Sequence, residues 1–283
     1  MKTEDGRGSE HGRARIPWRG ILLALGLGFV VYVGLGLVVD LQRVWDALRT
    51  FALWTLAAAF ALAFCNYLIR FIKWQYYLRV LGLEVPTGPS LRIFLAGLVM
   101  SVTPAKVGEV LRSVLLKDAY GIPVERTAPI VVADRLSDMM ALLVLMASGA
   151  AVFREGWAVL LVGLGLCLAV VVAVQVPGVG KRLVGLLSRL PLLRRVGDKL
   201  AEAYEALRAV GSARVLLLPV VVSVAAWWCE CFAFYLVLRG FPGSHVDLFT
   251  ATFVYALATV AGAVAMLPGG LGATEASICL LYT

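Results

Sequence analysis

Two apolar stretches of this chain are interrupted in the same way. Phe94 to Arg112 reads FLAGLVMSVTPAKVGEVLR, and Phe253 to Glu275 reads FVYALATVAGAVAMLPGGLGATE. Each stops at a proline (Pro104, Pro268), meets a glycine four residues on (Gly108, Gly272) and then a glutamate (Glu109, Glu275). Proline removes a backbone donor and breaks a helix, and glycine lets the chain turn sharply. Inside lipid such a break strands backbone polar groups, so it survives only where protein or a watery cavity surrounds it. Interrupted helices in corresponding halves of a membrane chain point to a transporter-type binding site.

The surrounding sequence supplies the membrane. It is 61% hydrophobic and 16% charged, against about half apolar and a quarter charged in soluble domains. Several runs approach the ~20 apolar residues that cross a bilayer core. The fold class is therefore an all-α polytopic membrane protein. The net charge of +8 bears on topology and on anionic headgroups, and no nucleic-acid partner is expected. Cys65, Cys167, Cys229, Cys231 and Cys279 all lie in apolar runs and read as packed thiols. The two histidines, His11 and His245, lie in polar segments. Neither a metal cluster nor a Ser-His-Asp set can be built from them in the membrane, so no metal and no cofactor are expected.

Residues 1–19 are polar and basic and read as a disordered cytosolic tail. Residues 20–283 form a single transmembrane domain. Gly20 to Val39 is an uncleaved first span, and Asp40 to Thr50 a short amphipathic connection. Phe51 to Ile69 is a second span, continuing as helix through Arg79. Asn66, Arg70, Lys73 and Tyr77 recur on one face of it. With Trp74 they read first as an interfacial anchor, and alternatively as a stripe that touches a lipid phosphate. Ile93 to Ala105, at ~1.5 Å per residue, is too short to cross. Val107 to Lys117 is short as well, so the two suggest a re-entrant hairpin with its tip near Pro104.

Thr127 to Phe153 is a long helix, Arg154 to Gly156 a turn, and Trp157 to Val176 a span. Residues 178–214 mix cations with apolar residues and read as an amphipathic segment on the membrane surface. Val215 to Leu238 spans again, and Leu248 to Leu267 is the second broken helix. Residues 273–283 begin its return arm. The closing span that symmetry calls for does not appear, which suggests a truncated sequence.

With the N-terminus in the cytosol and 93–117 re-entrant, segments 1–19, 70–92, 106–126 and 178–214 hold most of the 26 Lys and Arg residues. Only Arg43, Arg49, Arg154 and Arg239 fall in outside segments. Cytoplasmic loops should carry that excess. The same layout shows a repeat: two spans, a hairpin and a span over about 20–153, then two spans and a hairpin over about 157–283. YYLRVLG (Tyr76 to Gly82) precedes the first hairpin and FYLVLRG (Phe234 to Gly240) the second. The halves start on opposite sides, so the repeat is inverted and its site belongs near the midplane.

Lys106, Gly108, Glu109 and Arg112 stand at the start of a half-helix, where free N–H groups favour an anion. Asp134 and Asp138 share a helix face and repel unless a cation intervenes; Arg135 or Arg112 is the expected one. Glu230 lies deep in an apolar span, so it must pair with a cation, stay neutral or face water.

Four motifs, RFIKWQYYLRVLG, TPAKVGEVLR, ADRLSDMMALLVL and LPGGLGATEA, resemble the transmembrane region of bacterial lysylphosphatidylglycerol synthases and its stand-alone flippase-like relatives. The resemblance covers residues 20–283. It implies a protein of the bacterial or archaeal cytoplasmic membrane that moves a phospholipid or polyprenyl-linked lipid between leaflets. It assigns Lys106, Gly108 and Glu109, the set Asp134, Arg135 and Asp138, and Gly269, Gly270 and Gly272, to the headgroup site. Asp134 stands where the family pattern has Glu. Glu109, Glu230 and Glu275 are candidates for coupled protons. No aminoacyl-transferase domain lies in these residues, so synthase activity is not implied. The competing expectations are an integral-membrane transferase and a non-catalytic partner of a lipid-modifying enzyme.

Overall fold

The computed structural model describes residues 41–99, 108–149, 156–176 and 197–264, with Gly26 and Gly178 as single helical positions. These residues are all-α. Their helices are α1 (Leu41–Thr50), α2 (Leu53–Val80), α3 (Thr87–Val99), α4 (Gly108–Tyr120), α5 (Val124–Gly149), α6 (Gly156–Gln175), α7 (Gly197–Val210), α8 (Ala213–Arg239) and α9 (Leu248–Val264). Three are long and apolar enough to cross a membrane: Leu53–Val80, Trp157–Gln175 and Ala213–Arg239. The tail, the first span, the 100–107 tip, the 150–155 turn and everything after Val264 lie outside the described residues.

Two long helices, α2 and α8, form the centre. Three hydrogen bonds show that they run antiparallel. Ala52 N donates to Gly240 O at 3.0 Å. Asn66 Nδ2 donates to Ala226 O at 2.7 Å, and Tyr76 Oη to Val215 O at 3.3 Å. Each step forward along α2 is matched by a near-equal step back along α8. The approach at the Gly240 end depends on glycine. A Cβ there would lie 2.4 Å from Phe51 Cε2 and 2.6 Å from Thr55 Oγ1. Small residues let membrane helices come this close, and Ala226, Ala251, Ala256 and Ala258 are all buried.

The end of α2 is a glycine stop. Gly82 has φ +66°, a region that costs glycine little. The turn closes with Leu81 N to Tyr77 O at 3.1 Å and Leu83 N to Leu78 O at 2.9 Å. The following α3 and α4 are 13 residues each, so each reaches only ~20 Å at 1.5 Å per residue. They pack against one another. The first arm starts at Thr87, earlier than the sequence reading placed it, because Pro86 and Thr87 already begin a helical turn: Ser90 N donates to Pro86 O at 3.0 Å.

Helix α5 touches two separate apolar clusters. Ile130 and Ala133 pack with Trp74, Tyr77, Leu78, Ile93, Phe94 and Leu116. Further along, Leu142, Leu143, Leu145 and Met146 pack with Leu160, Cys167, Phe253 and Val254. The residues between, Asp134 to Asp138, carry the charge. Of the amphipathic segment 178–214, residues 179–196 lie outside the described residues. Its described portion, α7, docks on α5, with Val210 buried in the first cluster. Tyr204 Oη donates to Val174 O at 3.1 Å and Gln175 Nε2 to Arg208 O at 3.3 Å, which ties α7 to the end of α6. One face of α7 therefore belongs to the bundle.

Candidate functional site

Three helix faces meet between the two apolar clusters. Arg70, Lys73, Trp74 and Tyr77 line one face of α2, Asp134, Ser137 and Asp138 one face of α5, and Ser223, Trp227 and Glu230 one face of α8. Each set follows the three-and-four spacing of a helix face.

Lys73 is the centre of the cluster and is 1% exposed. An ammonium has three donors, and Lys73 Nζ donates to Asp138 Oδ1 at 2.7 Å, Ser223 Oγ at 2.8 Å and Ser137 Oγ at 3.4 Å. It also forms an ion pair with Asp134 Oδ1 at 2.6 Å. Ser223 in turn donates to Asp138 Oδ1 at 2.9 Å. Arg70 Nη1 reaches the other oxygen, Asp138 Oδ2, at 3.0 Å. Tyr77 Oη meets Ser137 Oγ at 3.4 Å. The two aspartates are thus held apart by Lys73 and Arg70. The sequence reading had expected Arg112 or Arg135 in that place. Arg135 is half-buried and within electrostatic reach of Asp138.

The expectation for Arg70, Lys73, Trp74 and Tyr77 at headgroup depth meets a different arrangement. Lys73, Trp74 and Tyr77 are buried, and Arg70 stacks 4.8 Å from the Trp227 ring centroid. Their face turns inward because the counter-charges lie on α5 and not in water. Trp74 Nε1 donates to Ser90 Oγ at 3.1 Å, which fixes α3 against α2.

Beside this cluster lies a cavity of about 30 Å³ lined by Arg70, Trp74, Tyr77, Phe94, Arg112 and Asp134, among others. It is of water size. Arg112 projects from α4 and is 7% exposed. Its guanidinium lies 4.4 Å from the Phe94 centroid and 5.6 Å from that of Trp74. Its Nε is buried with no hydrogen-bond partner, as is the neighbouring Ser113 Oγ. An unmade bond to a buried charged donor is costly. Arg112 Nε and Ser113 Oγ are thus buried polar groups without an acceptor among the described residues.

On the far side of Arg70, Tyr255 Oη of α9 donates to Glu230 Oε2 at 2.9 Å. Glu230 is half-buried. Of the other expected site residues, Gly108 and Glu109 open α4. Lys106, Gly269, Gly270, Gly272, Glu275 and the side chain of Glu109 lie outside the described residues. Ser223, Trp227 and Tyr255 were missed in the sequence. A single serine seven residues before Glu230 in an apolar run was the available signal.

Comparison with known proteins agrees with this picture. The chain is 25% identical to a UPF0104 membrane protein of the archaeon Methanothermobacter thermautotrophicus, over 91% of this chain and 83% of that protein. No solved structure matches it. Residues 21–283 match the family model of the lysylphosphatidylglycerol synthase TM region. With its apolar helices, its charged centre on α2, α5 and α8 and this match over nearly its whole length, the chain is a membrane protein of the lysylphosphatidylglycerol synthase transmembrane-region family.

Proposed function

We propose that this protein is a flippase-like translocator that moves a lipid with an anionic, phosphate-bearing headgroup between leaflets. The observation that carries the reading is Arg112: a buried guanidinium with an unmade donor, beside a cavity that also meets Arg70 and Asp134. Four cations, Arg70, Lys73, Arg112 and Arg135, here meet three carboxylates, Asp134, Asp138 and Glu230. A phosphate would supply the missing acceptor and the missing negative charge. The present cavity is too small for a headgroup, so the arrangement corresponds to a closed state, and the α3–α4 pair is the element that must move.

The antiparallel pairing of α2 with α8 supports an inverted repeat, since the two helices hold corresponding places before the two interrupted stretches. Lys106, Gly108 and Glu109 at the first tip, and Gly269, Gly270 and Gly272 at the second, would complete the headgroup site. Arg135 joins it from α5. The loop charges support a cytosolic N-terminus. A phospholipid and a polyprenyl phosphate share the recognised chemistry.

The test is leaflet exchange in liposomes that hold the full chain. Labelled phosphatidylglycerol should exchange faster than in protein-free liposomes. A labelled polyprenyl phosphate in a parallel arm separates the two lipid classes. Arg112→Gln should lower exchange about tenfold or more, given ~1.5–3 kcal/mol for a hydrogen bond to a charged group. Undiminished exchange by that variant would overturn the reading.

A further inference from the structure

Arg70 belongs to two sites at once. One side of it lines the cavity and pairs with Asp138. The other stacks on Trp227. Trp227 and Glu230 are three residues apart on α8 and so share a face. That puts Glu230 on the Arg70 side of α8, within electrostatic reach of Arg70, on which Asp138 and Asp134 act more strongly. The groups that face Glu230 are Tyr255 from α9 and Arg70 from α2, with Cys229 and Cys231 adjacent on α8. From α5, Asp138 acts on it through the shared Arg70.

We infer that the Glu230–Tyr255 pair is a proton-binding site coupled through Arg70 to the headgroup pocket. This rests on the headgroup reading above. A phosphate that enters the cavity engages the same Arg70 that offsets the charge on Glu230. It also brings a second anion near that carboxylate. Both effects favour protonated Glu230, so one proton from water joins the carboxylate as the headgroup binds. By reciprocity, protonation of Glu230 tightens headgroup binding by the same factor. Tyr255 suits this role because its hydroxyl can donate to the carboxylate and accept from the acid. A singly charged headgroup and one proton move as a neutral pair. Transport would therefore respond to a pH gradient and not to membrane potential.

The experiment titrates the purified full chain in detergent with short-chain phosphatidylglycerol, in weakly buffered solution with a pH-indicator dye. Close to one proton per bound lipid should be taken up. Affinity should fall as pH rises, because binding takes up a proton. Glu230→Gln should take up no proton and should bind at every pH as the wild type binds at low pH. Tyr255→Phe keeps the ring packing and loses only the donor, so proton uptake should persist while the pH dependence of binding departs from that of the wild type. Lipid binding without proton uptake, or an unchanged pH slope in Glu230→Gln, overturns the coupling and leaves the headgroup site standing. Absence of phosphatidylglycerol binding overturns both.

Discussion

Gly97 leaves no room for a side chain against Arg112. A Cβ at Gly97 would lie 2.4 Å from both Cγ and Nε of Arg112. The close approach of α3 to α4 and the placement of the unpaired guanidinium are therefore one feature. Gly97→Ala should displace Arg112 and weaken phosphatidylglycerol binding nearly as much as Arg112→Gln does. Gly88→Ala is the control, because a Cβ there meets nothing within 4 Å. Binding measured on both variants separates the local clash from a general effect of alanine in α3.

Lys73 carries the largest expected effect on stability. Lys73→Met leaves Asp134 and Asp138 without their shared donor, and breaking a buried ion pair from one side costs ~3–5 kcal/mol. Thermal unfolding in detergent should show a large drop. The double variant Lys73→Met/Asp134→Asn should recover part of it, since Asp138 keeps its ion pair with Arg70 while the stranded charge of Asp134 has gone. Equal losses in the single and double variants would contradict the geometry.

Ser223 should matter less, and in a different way. Its hydroxyl bridges Lys73 and Asp138 across α2, α5 and α8. Ser223→Ala leaves Lys73 one acceptor short at a cost of ~1–3 kcal/mol. Ser223→Thr keeps the hydroxyl and should retain most of the stability.

Asp247 lies in the loop before α9 and caps that helix. Its Oδ1 accepts from Phe249 N at 2.9 Å and Thr250 N at 3.1 Å, and the Thr250 hydroxyl donates to Oδ2. The Thr250 hydroxyl bond above all, with the backbone N–H bonds, holds this carboxyl below its ordinary range. A depressed folded value gives stability that is present above the usual carboxylate range and lost as pH falls through the folded value. Asp247→Asn should keep the cap and remove this acid sensitivity. Asp247→Ala should cost ~1 kcal/mol at neutral pH. Unfolding curves at neutral and acid pH test both.

The legible part of the fold was what helical periodicity and hydrophobicity can encode. The face of Asn66, Arg70, Lys73 and Tyr77 is visible at a glance, and so is the pair Asp134 and Asp138. Their partnership was not visible. Periodicity says which residues share a face but not what that face meets, so cations on an apolar helix were assigned to headgroup water. Only packing brings Asp134 and Asp138 onto Lys73. Ser223 escaped for a related reason: one hydroxyl in an apolar run is common, and its value lies in filling the third donor of Lys73. The docking of α7 on α5 was hidden by its many surface charges, because Val210 and Ala206, which it buries, are few and small. Glu230 was singled out as a residue in need of a partner; the structure gives it Tyr255, which was too far along the chain to be paired with it by spacing.

The three acceptors of Lys73 come from residues synthesised long after it. When α2 leaves the ribosome, neither α5 nor α8 exists. A charged residue costs up to ~2.5–3.5 kcal/mol when a lone helix carries it to the bilayer centre, and the C-terminal half of α2 carries three, Arg70, Lys73 and Arg79. The C-terminal half of α2 should therefore stay close to water until Asp134 and Asp138 supply counter-charges and Ser223 completes the hydrogen bonds of Lys73. Biogenesis of this centre is ordered by the reading of the message, and a ribosome stalled before α5 should leave the Arg70–Lys73 end of α2 open to water-soluble labelling reagents.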